Sequence, residues 1–128
     1  MSIFKRLFSS NEPSNKKEFN WSPLNDLDQL EDIVTNSYEK TIVIFKHSTR
    51  CSISRFSLNS FENEFNYPKE KIECFYLDLL AHRDISNEIA RKFQVEHQSP
   101  QVLVIKNGKA IYSASHESID AGILERFI

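Results

Sequence analysis

The stretch Thr41-Ile42-Val43-Ile44-Phe45-Lys46-His47-Ser48-Thr49-Arg50-Cys51-Ser52-Ile53-Ser54 decides how this chain reads. Thr41–Phe45 is apolar, rich in β-branched residues and free of alternation, the pattern of a strand buried on both faces. Lys46–Arg50 is a short polar turn. From Cys51 to about Phe65, the residues Phe56, Ser57, Ser60, Phe61 and Phe65 recur at three- and four-residue steps. That spacing predicts a helix, and Pro68 stands just beyond its end. Cys51 therefore opens a helix directly behind a buried strand. A helix N-terminus carries partial positive charge and unpaired N–H groups, so it favours thiolate over thiol. Arg50 beside it and His47 nearby push the same way. The thiolate is the nucleophile of disulfide exchange. The plainer alternative is an ordinary small hydrophobe at a helix start.

Three residues on, where a Cys-x-x-Cys site holds its second thiol, stands Ser54. A serine can donate a hydrogen bond to the neighbouring thiolate but cannot close a disulfide, so a mixed disulfide on Cys51 would wait for an outside thiol. The chain has only two cysteines. The second, Cys74, falls inside the strand-like run Ile72–Leu79, where a buried and inert thiol is the first expectation and a resolving thiol the second. Two cysteines are too few for a disulfide-stapled scaffold or a four-cysteine zinc site. His47 and Cys51 are close in sequence, but no third and fourth ligand cluster with them, so no metal is expected. The two glycines, Gly108 and Gly122, are too few for a Rossmann fingerprint or a P-loop.

Around this centre the chain reads as one domain. It has 128 residues, a formal charge of −2, 40% hydrophobic and 27% charged residues, as in a soluble globular protein. That charge gives no case for nucleic acid as partner. No apolar run approaches the ~18 residues of a membrane span. Met1–Phe8 lacks the features of a secretory signal and reads as a loosely docked terminus rather than a membrane-surface helix. Ser9–Glu18 reads as a linker, so residues 1–18 are expected to be a flexible segment and 19–128 the domain. Asn25 offers a cap for a helix to about Ser37, with Leu27, Leu30, Ile33 and Val34 at helical spacing. Ile85–Phe93 forms another, capped by Asp84 or its neighbours. Gln101–Lys106 and Ala110–Ser113 flank Asn107-Gly108, a strong hairpin signal. Ser118–Ile128 closes as a helix with Ile119, Ile123, Leu124 and Phe127 on one face. The expected fold is α/β: a central four-stranded mixed sheet flanked by helices. Ser99-Pro100 precedes the third of those strands, and sequence chemistry leaves its peptide bond cis or trans.

The helix-opening Cys-x-x-Ser, the Ser99-Pro100 pair and Val102–Lys109 (VLVIKNGK) together resemble the thioredoxin fold, from about Trp21 to the C-terminus. In that fold the proline before the third core strand is cis and faces the active-site cysteine, and Pro100 matches it. More closely, Ile44–Ser54 resembles the YtxJ family of bacillithiol-system proteins, the monothiol bacilliredoxin type. Ser99-Pro100-Gln101, Ser115-His116 and the sequence around Trp21 and Leu24 add to the match. The resemblance implies a cytoplasmic oxidoreductase that uses Cys51 to remove bacillithiol from protein mixed disulfides. Its partners would be S-thiolated client proteins and a bacillithiol-like low-molecular-weight thiol, with no cofactor bound. Cys51 and Ser54 are then the catalytic candidates, with His47, Thr49, Arg50, Ser52 and Ile53 around them. Ser99, Pro100, Ser115 and His116 are the substrate-binding candidates. Arg50 is suited to one carboxylate of a small thiol, and the N–H groups around Ser115–Ser118 to another. The chain departs from the family at Ser52, where proline is frequent. Glutaredoxins place a glycine pair near the position of His116. A different reading of the same fold is a non-catalytic interaction module whose groove over Pro100 binds an extended peptide. Iron–sulfur carriage is disfavoured, since the glycine of Cys-Gly-Phe-Ser is absent.

Overall fold

A computed structural model describes residues 19–128, so the readings of Met1–Phe8 and Ser9–Glu18 lie outside the described residues. The elements run in the order β1 (Ser22–Pro23), α1 (Gln29–Asn36), β2 (Thr41–His47), α2 (Ser52–Glu64), β3 (Ile72–Asp78), α3 (Arg83–Phe93), β4 (Gln101–Lys106) and β5 (Lys109–Ser115). Two 3-10 turns, His116–Ser118 and Ala121–Phe127, follow. The strands form one sheet in the order β1-β3-β2-β4-β5. β2 pairs parallel with β3 and antiparallel with β4.

The missing alternation in Thr41–Phe45 has a direct cause: β2 is central and both its faces are covered. Ile42 and Ile44 join Leu30, Ile33, Ile85 and Ile89 in a core under α1 and α3. Val43 and Phe45 join Phe61, Val102, Val104 and Leu124 in a core under α2 and the C-terminal turns. Ile42, Val43, Ile44 and Phe45 are each 0% exposed, and full burial of such a side chain contributes about 1.5–3 kcal/mol. Phe45 and Phe61 meet edge to face at 5.5 Å. Trp21 stacks on Phe61 at 5.8 Å, and its indole N–H donates to Glu62 at 2.6 Å.

The sheet has five strands rather than four. The extra one, β1, is two residues long and pairs parallel with Phe75–Tyr76 at the edge. The closing helix expected over Ser118–Ile128 is instead the pair of 3-10 turns, interrupted at Ile119-Asp120, where both residues are extended. Asp120 caps the second turn, its carboxylate accepting the Gly122 N–H at 2.8 Å. The helix over the Leu27 region starts only at Gln29, with Asp28 rather than Asn25 as its capping residue. The Gln29 side chain accepts the N–H groups of Asn25 and Asp26, holding them in the preceding turn. α3 begins at Arg83, with His82 before it rather than Asp84. Phe56, placed on the apolar face by its spacing, is 73% exposed. The buried stripe of α2 is Ser54, Ser57 and Phe61.

Candidate active site at the start of the second helix

β2 ends at His47, and three residues of turn carry the chain to Cys51, the capping residue of α2, in extended backbone conformation. Its carbonyl accepts the Arg55 N–H at 3.0 Å, and its own N–H donates to Ser48 at 3.2 Å. The thiol is free and half-buried. The first-turn N–H groups of a helix have no partners within it, and the Cys51 side chain makes no capping hydrogen bond to them. Thr49, Arg50, Ser52 and Ile53 form an exposed rim. Arg55 ties that rim together by donating to the Thr49 carbonyl at 3.2 Å.

Ser54 turns the other way. It is 0% exposed, and its oxygen accepts the Ser48 N–H at 3.1 Å and lies 2.7 Å from His47 Nδ1. His47 is itself 4% exposed. Its carbonyl accepts the Leu79 N–H at 3.0 Å, and its ring lies 5.6 Å from that of Tyr76. Burial lowers the His47 pKa, opposed by Asp78, assisted by Arg55 and opposed again by Glu62.

The opposite wall comes from β4, whose first residue Gln101 pairs with Lys46. The Ser99-Pro100 peptide therefore enters opposite His47, and it is cis. Pro100 is buried and Ser99 half-buried. The Pro100 carbonyl accepts the His116 N–H at 3.1 Å. His116 holds a left-handed φ of 55°, uncommon outside glycine. Its side chain is exposed, whereas Ser115 is half-buried and pairs with Gln101. The turn His116–Ser118 also packs against α2. The structure thus gathers His47, Cys51, Ser54, Ser99, Pro100, Ser115 and His116 around the same end of the sheet.

Cys74 is not part of this group. It pairs with Val43, four residues before His47 along β2, a displacement of roughly 13 Å at ~3.3 Å per residue. A disulfide needs Cα atoms about 4.4–6.8 Å apart. Cys74 is 4% exposed, and burial, with Glu73 beside it, pushes its thiol pKa up. It lines a cavity of about 240 Å³ at the far end of α2, with Phe19, Glu62, Phe65 and Tyr67.

Sequence reasoning placed Lys46 and His47 in the polar turn; both instead end β2, and Lys46 is 0% exposed on the α3 side of the sheet. Its Nζ lies 3.4 Å from the Ser86 carbonyl and 3.2 Å from His97 Nδ1. Burial lowers its pKa to about 8. Gln101 supports the same loop, donating to the Glu96 carbonyl at 3.0 Å and accepting the Gln98 N–H at 3.4 Å. These residues hold the approach to Ser99-Pro100. A lysine at the end of a fully apolar strand was the available signal.

A family model described as monothiol bacilliredoxin BrxC matches residues 22–124. The chain belongs to that family. Its fold is shared with a thioredoxin-fold protein assigned as an oxidoreductase, at 28% identity and TM-score 0.67, over 81% of this chain and 89% of that one. It is also similar to the thioredoxin of Malassezia sympodialis (20% identity, TM-score 0.63, 86% of this chain and 89% of the other). The thioredoxin of Fasciola hepatica matches at 21% identity and TM-score 0.56, over 83% of this chain and 94% of the other. The chain is thus a thioredoxin-fold member of a thiol redox family. Among the described residues no group of three or more His, Cys, Asp or Glu is placed to hold a metal ion. No described helix is long and apolar enough to cross a membrane.

Proposed function

We propose that this protein is a monothiol thiol–disulfide oxidoreductase of the YtxJ type, acting in the cytoplasm on proteins that carry a bacillithiol-like small thiol. The Cys51 thiolate attacks the small-thiol sulfur of the client's mixed disulfide. A disulfide forms between Cys51 and the small thiol, the bond to the client breaks, and the client cysteine leaves as thiolate and takes a proton. A second small-thiol thiolate then attacks that disulfide, freeing Cys51 and releasing the symmetrical disulfide. The two electrons come from the small thiols, and the chain itself needs no cofactor.

One observation carries this reading: a half-buried free cysteine caps α2 while the position three residues on is a buried serine. The other thiol is buried in β3. Ser54 takes the place of a second thiol and cannot close a disulfide with Cys51, and Arg50 on the exposed rim pairs with a carboxylate of the small thiol. Ser99, Pro100, Ser115 and His116 form the wall against which the disulfide lies. The domain we assign to this activity is 19–128.

A second reading, a binding module with an incidental thiol, draws support from Ile53 and Phe56, which are 61% and 73% exposed beside Cys51. The two are separated by de-thiolation of a bacillithiolated client protein, followed by mass, with wild type, C51S and C74S. The enzyme reading expects wild type and C74S to release the client thiol with excess bacillithiol and C51S to release none above the uncatalysed rate. Equal release by C51S overturns it.

A further inference from the structure

Lys46 and Gln101 stand directly opposite each other on β2 and β4, so their side chains leave the same face of the sheet. Both are buried, and both end on the segment that leads to Ser99-Pro100. Gln101 clips that segment twice, at the Glu96 carbonyl and at the Gln98 N–H. Lys46 meets the residue between them, with Nζ 3.2 Å from His97 Nδ1. Ser86 Oγ on α3 also lies 3.2 Å from that nitrogen. A lysine ammonium has only protons to give, so the contact requires a bare Nδ1 that accepts. Buried charges are ordinarily paired, yet none of the ion pairs among the described residues includes Lys46. Its other partner is the Ser86 carbonyl, at 3.4 Å. A neutral imidazole thus covers a buried cation. Lys46 is 0% exposed, whereas His97 lies at the surface, where a proton reaches it.

We propose that Lys46 and His97 are positioning residues that latch the 96–99 segment, and with it the Ser99 side of the substrate wall, and that a proton on His97 releases the latch. The inference rests on the reading of Ser99 and Pro100 as that wall. An imidazolium carries protons on both nitrogens, so nothing remains to accept from Lys46 and two like charges face each other. Below about pH 8 Lys46 holds its own proton. The charged groups that act on His97 are Lys46 on β2 and Arg83 on α3. β3 and β4 place the neutral Leu77 and Gln101 beside Lys46. Burial, Lys46 and Arg83 all lower the pKa of the ring. Once released, the ring regains an ordinary histidine pKa of about 6.5, so the released state binds the proton more tightly. Release is therefore favoured as pH falls, by up to about tenfold between pH 7.5 and 5.5.

The test is 15N relaxation of the Gln98 and Ser99 amides in the reduced protein between pH 7.5 and 5.5, in wild type, H97Q and K46M. Wild type should gain mobility at these two amides as pH falls. H97Q offers Lys46 an amide oxygen that does not titrate, and its segment should stay ordered throughout. In K46M the His97 pKa, read from its ring proton shifts, should rise toward 6.5. A wild-type segment indifferent to pH, an H97Q response equal to that of wild type, or an unchanged His97 pKa in K46M overturns the proposal. Should K46M fail to fold, the comparison of wild type with H97Q decides. Between pH 7.5 and 5.5 the KM for a bacillithiolated client should rise up to about tenfold more in wild type than in H97Q, with kcat changing alike in both. Equal KM ratios overturn the claim that the latch positions the wall. The relaxation measurement needs no client, so a failed de-thiolation assay beside the expected relaxation strikes the functional reading alone.

Discussion

Lys46 shows how much one residue can carry. Its side chain is buried with a carbonyl and an imidazole nitrogen as neighbours, and its pKa falls from 10.5 to about 8. Between those values the unfolded chain binds the proton that the folded chain has released. Stability therefore rises with pH across that window, and it is lowest, relative to an unperturbed lysine, below about pH 8. The expected span is about 3 kcal/mol. Urea denaturation of wild type and K46M, compared at several pH values, isolates it: the difference between the two should grow in favour of wild type from pH 8 upward. A constant difference would contradict the account. The residue on which the proposed function turns, Cys51, was legible from its place behind a polar turn at a helix start. The partners of Ser54 were not, because a hydrogen bond between His47 and Ser54 depends on side-chain direction, which spacing along the chain does not report.

At the scale of elements, long periodic segments were readable and short or interrupted ones were not. β2 and α2 announce themselves by an unbroken apolar run and by three- and four-residue steps. β1 has two residues, too few to express any period, and exists because Ser22 and Pro23 find the edge at Phe75 and Tyr76. Ile119, Ile123, Leu124 and Phe127 satisfy helical spacing, yet Asp120 sits in the middle and caps a new turn. An acid that accepts a backbone N–H two residues on favours a cap over a helix interior. D120A should lower stability by about 1 kcal/mol, read as a drop in thermal midpoint; an unchanged midpoint would show that the cap is idle. Phe61 is 1% exposed and touches Phe19, Trp21, Phe45 and Phe65. F61A should cost about 3–5 kcal/mol in denaturant unfolding. A smaller loss would mean that the aromatic cluster collapses into the space.

Across the whole molecule, the sheet keeps the two thiols apart. Parallel pairing sets Cys74 against Val43 in the middle of β2, while Cys51 stands beyond the end of that strand at the start of α2. The antiparallel return through β4 and β5 brings the Ser99-Pro100 loop and the His116 turn to the same end. The separation of one half-buried cysteine at a helix start from one core cysteine thus follows from topology. The sequence order of strands and helices already implied it; the His116–Pro100 hydrogen bond, which ties two distant segments into one wall, had no local signal. The most direct measurement is the intact mass of the reduced chain after incubation with oxidised bacillithiol, with peptide mapping of the adduct. The account predicts a single bacillithiol adduct, on Cys51, with Cys74 unmodified and no internal disulfide. An adduct on Cys74, or a Cys51–Cys74 disulfide in its place, would contradict it.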